Sequence, residues 1–110
     1  MPKELTMSWI VLVVSGVLEA VWATALDRSE GFTRLGPAAV FLVAAAASMA
    51  GLSWALRELP VGTAYAVWVG IGAATTAGWA MATGAEPVSV VRVLLLLGIV
   101  ACVAGLKLTH

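Results

Sequence analysis

The sequence predicts an all-α membrane protein, a bundle of four transmembrane helices in one chain. Three observations carry that prediction. Apolar stretches recur at about 8–26, 37–56, 60–83 and 88–108, each close to the ~20 residues that cross a hydrocarbon core. The pieces between them are short and polar: Asp27-Arg28-Ser29-Glu30-Gly31, Arg57-Glu58-Leu59 and Gly84-Ala85-Glu86. Connections this short force neighbouring helices to run antiparallel. Finally, 62% of the 110 residues are hydrophobic and 11% are charged, against roughly 25% charged in an ordinary soluble domain. The expectation is a single transmembrane domain over residues 1–110, with both termini on one side.

The first span is uncharged except for Glu19, which lies about two residues past its centre, or ~3 Å at 1.5 Å per residue. A carboxylate at that depth costs roughly 2.5–3.5 kcal/mol on insertion scales, so it calls for a function. Ser15 and Trp22 share its helical face. Ala23-Thr24-Ala25 has the look of a signal cleavage site, but Glu4 beside Lys3, Glu19 within the apolar run and the later spans argue that this segment is retained.

The second span opens near Pro37 and places Ser48 in the small-residue run Ala44–Gly51. The third follows Pro60; Tyr65 and Trp68 lie one turn apart on it, just before Gly70-Ile71-Gly72. Proline costs nothing at a helix start, where the N–H is unpaired anyway. The two glycines read either as a close-packing surface or as a hinge. The fourth span, after Pro87, aligns Gly98, Ala101, Cys102 and Gly105 on one face, a stripe that suits a dimer seam. Arg92 lies one turn inside it and is expected to snorkel. Trp9 and Trp54, near span ends, read as interface anchors.

Charge adds a topological expectation. One side of the bundle carries Lys3, Arg57 and Lys107, and the other Arg28, Arg34 and Arg92. Lys and Arg in short loops set orientation, and here they balance. Both orientations are expected, and two copies inserted in opposite senses would bring their Glu19 carboxylates to nearly the same depth. Inverted halves around a midplane site are a common transporter plan, and this chain is too short to hold two.

Glu19, Trp22, Ser48, Tyr65 and Trp68 together describe a cation pocket. Carboxylates bind the charge, and aromatic faces add about 0.5–2 kcal/mol each through cation–π attraction. The Ser48 or Tyr65 hydroxyl is expected to orient the carboxylates, and protons compete with the cation for the same two acids. Zero net charge points to no nucleic-acid partner. No metal-ligand cluster is visible, His110 being a lone tail residue, and no cofactor motif or nucleophile–base pair suggests an enzyme.

Glu19 with Trp22, the stretch Glu30-Gly31-Phe32-Thr33-Arg34-Leu35, the run from Pro60 to Ala73 and the terminal Gly105-Leu106-Lys107-Leu108 resemble the small multidrug resistance family, and within it the guanidinium-exporter branch. The resemblance implies an antiparallel, dual-topology homodimer in the cell's inner (plasma) membrane that exchanges protons for guanidinium or another small organic cation. It makes Glu19 the shared proton and substrate group, with Trp22, Ser48, Tyr65 and Trp68 around it. It also makes Gly70 and Gly72 the kink of the third helix and the fourth helix the dimer seam. Asp27 and the Gly84-Ala85-Glu86-Pro87 turn depart from the family pattern; both lie in loops, where charge bears on topology. Alternatives are export of bulky quaternary ammonium or lipophilic cations, one subunit of a heteromeric transporter, and a non-transporting membrane helper. The charge balance is directly testable: a C-terminal reporter is expected on both membrane faces in comparable amounts. Two lysines added near Lys3 should bias the chain one way, and two near Arg28 the other; a reporter strictly on one face would contradict dual topology.

Overall fold

The computed structural model describes residues 3–109, and His110 lies outside them. The order is α1 (Lys3–Arg28), α2 (Leu35–Ala55), α3 (Val61–Ala82) and α4 (Val90–Thr109). The helices match the four apolar stretches, with shifted ends. α1 begins before residue 8 because a helix, unlike an apolar run, tolerates a charged first turn. Glu4 in that turn and Arg28 in the last one both suit the helix dipole. Pro60 is the N-cap of α3 in extended geometry rather than its first residue. α4 starts at Val90 because Ser89 caps it, its Oγ accepting from the Arg92 N–H at 3.1 Å.

α1, α2 and α4 are long and apolar enough to cross a membrane. α3 was expected to be a span as well. Its 22 residues include no charge, but Gly, Thr, Tyr and Trp make it less apolar than its neighbours. Its length, about 33 Å at 1.5 Å per residue, matches the ~30 Å of a hydrocarbon core.

α1 carries most of the packing, with α2 on one side and α3 on another. Small residues permit the close crossings. A Cβ on Gly51 of α2 would overlap the Ser15 hydroxyl of α1. A Cβ on Gly16 would come within 2.9 Å of Ile71 and 3.3 Å of the Trp68 carbonyl oxygen on α3. Without a strong hydrophobic drive between helices in lipid, such backbone approach is what lets dispersion hold them.

The buried cluster Trp9, Leu12, Ala55, Leu59, Ala64, Val67 and Trp68 closes one end of the bundle, around the α2–α3 turn. Toward the opposite end α1 and α3 part to leave a cleft. α4 stands outside this group and packs along α3, where Gly70 leaves room for Val103. Lys107 Nζ lies 5.9 Å from the Trp9 ring centre, and the Arg57 guanidinium 4.6 Å from that of Trp54. Arg92 pairs with Glu86 at 3.6 Å, both side chains being half-exposed.

Gly98, Ala101 and Cys102 are exposed and Gly105 is partly so. A Cβ on Gly98 or Gly105 would meet nothing within 4 Å. The stripe expected at a seam thus faces away from its own chain.

Candidate functional site

Glu19 projects from the middle of α1 toward α3, onto Gly72. A Cβ on Gly72 would lie 2.5 Å from Glu19 Cδ and 2.7 Å from its Oε2. The missing side chain is therefore what lets a carboxylate rest against the α3 backbone. Glu19 Oε1 is buried and has no hydrogen-bond partner among the described residues, and the same is true of Trp22 Nε1. An ionised carboxylate left so is expensive, and it lies where a cation would offset the cost.

The carboxylate lines an open cleft of about 680 Å³ between α1 and α3. Thr76 of α3 and Thr83, its C-cap, line it too, with Asp27, Arg28 and Glu86 nearer the loops. Two of those three loop-end charges are acidic. An adjoining groove of about 510 Å³ is almost wholly apolar, walled by Val17, Val21, Val40 and Trp79.

Ser48 and Trp68 form a separate buried junction. The Ser48 hydroxyl donates to the Ser15 carbonyl at 2.7 Å and accepts from the Trp68 indole N–H at 3.2 Å. A serine has one O–H to give, and it goes to α1 backbone. The expectation that this hydroxyl orients a carboxylate is therefore corrected within the single chain. Ser15 lies four residues before Glu19, so the carbonyl that Ser48 meets is also the helical acceptor for the Glu19 N–H. Three helices meet at the Ser48 hydroxyl, a turn from the acid.

Tyr65 is 55% exposed, and its ring centre lies 5.8 Å from that of Trp68. Among the described residues its hydroxyl has no carboxylate partner. Trp22 is half-buried and packs edge to face on Phe41 of α2, at 5.9 Å. The fold thus links Ser48, Trp68 and Tyr65 to one another at the α1 turn before the acid, while Trp22 packs against α2.

The helix α3 runs unbroken through Gly70 and Gly72. Each glycine has a neighbour in the space of its missing side chain, Val103 at Gly70 and Glu19 at Gly72. Sequence reasoning missed Gly16, Gly51 and Phe41. For Gly16 a signal existed, a glycine interrupting a run of larger apolar residues, and Gly51 was visible only as the end of a small-residue run. Nothing local marked Phe41.

A carboxylate with a buried oxygen that has no partner among the described residues, lining a cleft in a helical bundle with three helices long and apolar enough to cross a membrane, defines a class, the small helical membrane proteins. The particular family follows from comparison: the model of the Small Multidrug Resistance protein family matches residues 7–100, and the chain belongs to that family. A protein of Citrobacter freundii named Guanidinium exporter is 53% identical over 105 residues, covering 94% of this chain and all of the relative. The protein of that name from Salmonella typhimurium is equally similar, and one from Yersinia pseudotuberculosis is 50% identical over 102 residues, covering 93% of this chain and 98% of its own.

The contact of Glu19 with α3 makes a prediction. Gly72→Ala should cost about 1–3 kcal/mol of stability in detergent, as overpacking does, and should speed carbodiimide labelling of Glu19 by displacing it. Gly78→Ala, where a Cβ meets nothing within 4 Å, should leave labelling unchanged. Equal labelling in both variants would show that the carboxylate does not rest on Gly72.

Proposed function

We propose that this protein exports guanidinium and small guanidinyl cations from the cell across the inner membrane, in exchange for protons. The observation that carries the reading is Glu19, a carboxylate with an unpartnered oxygen, lining a cleft within an apolar bundle. The substrate class is supported by relatives named Guanidinium exporter at 53% identity over nearly the whole chain.

In this reading all four helices, α3 included, cross the membrane. Two copies assemble in opposite orientations, with the α4 stripe of Gly98, Ala101, Cys102 and Gly105 as their seam. The two Glu19 carboxylates then form one site. Guanidinium brings only donors, so it pairs naturally with carboxylate oxygens that have no other partner. Trp22 and Trp68 offer ring faces to the planar cation. Tyr65, open on its own chain, is available to the partner's half of the site.

Proton and cation share the same carboxylates, so they cannot both be bound. If the empty, fully ionised site does not reorient, that exclusion is sufficient for obligatory exchange. Reorientation requires α3 to rearrange, and Gly70 and Gly72 are the positions where two different packings cost least. Ser48 would hold the Glu19 turn in place through the Ser15 carbonyl during that motion.

The apolar groove beside Trp79 favours a second reading, export of bulky lipophilic cations by the same exchange. One assay separates the two. In liposomes, an imposed pH gradient should drive guanidinium uptake, with a bulky quaternary ammonium transported at least about tenfold less efficiently, a difference of ~1.4 kcal/mol in transition-state stabilisation. Glu19→Gln keeps the shape but loses both charge and proton, and should abolish uptake. Wild-type-like exchange in that variant would sink the reading, and a preference for the bulky cation would move it to the second.

A further inference from the structure

The chain connecting α1 and α2 contains an arrangement that the cation site does not by itself explain. Glu30, Gly31 and Phe32 have φ of 49°, 72° and 69°, three successive residues in left-handed backbone. Glycine adopts that conformation freely, but glutamate and phenylalanine do so rarely and only where surrounding structure enforces it. Ser29 enforces it here. Its buried hydroxyl donates to the Leu26 carbonyl at 2.7 Å and accepts from the Phe32 N–H at 3.1 Å. Its carbonyl accepts from the N–H groups of Thr33 and Arg34 at 2.9 and 3.0 Å.

The turn that Ser29 builds has a specific product. It lays the Phe32 ring against Phe41 of α2, at 5.5 Å between centres and 67° between planes. Phe41 in turn meets Trp22 at 5.9 Å and 77°. Three rings therefore run edge to face from an exposed turn to Trp22, three residues beyond Glu19 on α1. The Trp22 indole N–H has no hydrogen-bond partner among the described residues, so it does not fix the plane of the ring. The ring contacts do. A cation is attracted to an aromatic face and not to its edge, so the plane of Trp22 matters for binding.

We propose that Phe32 and Phe41 are positioning residues that hold Trp22 face-on to the cation, with the Ser29 turn as their anchor. The proposal rests on the reading of Trp22 as a wall of the cation site. It gives the turn between α1 and α2 a role in substrate selection. A fixed ring plane suits a small planar cation, whereas a ring free to tilt accepts larger ones and holds the small one less well.

The test uses the whole protein labelled with 5-fluorotryptophan, the Trp22 resonance being assigned by its loss in Trp22→Phe. Phe32→Leu and Phe41→Leu remove a ring while keeping an apolar side chain. Phe32→Tyr and Phe41→Tyr keep the ring and serve as rescue. The leucine variants should shift the Trp22 resonance while leaving those of the other four tryptophans in place. They should raise the guanidinium KM about two- to tenfold, the range that an edge-to-face ring pair supplies, with turnover changed less than about twofold. The tyrosine variants should match the parent in both readouts. Leucine variants that keep the parent's resonance and KM would overturn the proposal. So would a shift of all five resonances, or a tyrosine variant as impaired as the leucine one, since either marks a general structural role. A parent that does not move guanidinium contradicts the proposed function alone, and the Trp22 resonance still decides whether the ring ladder holds.

Discussion

A carboxylate inside an apolar bundle is the constraint around which the rest of this molecule is arranged. Glu19 lies far from either end of a 26-residue helix whose neighbours in sequence are Leu18 and Ala20. Water would solvate that charge, and lipid does not. The chain reduces the cost in two ways. It places the acid beside a cleft whose lining includes hydroxyls and loop-end charges, and it removes the side chain at Gly72 so that the carboxylate reaches α3. Among the described residues one oxygen is left without a partner, the feature that the proposed exchange needs. An acid fully satisfied by its own protein would have little reason to take up a passing cation.

The same economy of small residues extends through the bundle. Gly51 faces Ser15, Gly16 faces Ile71 and Gly70 faces Val103, so the α1–α2, α1–α3 and α3–α4 pairs each have a point of close approach. At one of these crossings the Trp68 indole donates to the Ser48 hydroxyl, which donates in turn to the Ser15 carbonyl. Their hydrogen bonds tie α2 and α3 to the turn of α1 that carries the acid. A buried polar network of this kind rigidifies when fully satisfied. The acid is therefore unpartnered at its tip and firmly held at its base.

Much of this was legible in the sequence, and the reasons for what was not are physical. The helices could be read because an apolar run of membrane length has few other uses, and Glu19 stood out because charge there is costly. Ends shifted by a few residues where caps such as Ser89 and Pro60, rather than hydropathy, decide them. The hydrogen bonds of Ser48 were not legible, since they depend on the rotation of α2 against α1, which no local pattern encodes. Nor was the packing role of Gly70 and Gly72 separable from a hinge role, because a missing side chain serves both. Phe41 was invisible for a simpler reason: an aromatic residue in an apolar helix is unremarkable until its neighbours are known.

The central claim is that one carboxylate position serves both proton and cation. It is tested most directly by adding guanidinium to the purified protein in weakly buffered detergent solution and recording the pH, repeated over a range of starting values. Competition for Glu19 predicts that, at starting pH values where the site is protonated, binding releases protons, that release saturates together with binding, and that Glu19→Gln releases none. Guanidinium binding without proton release at every starting pH would contradict the account.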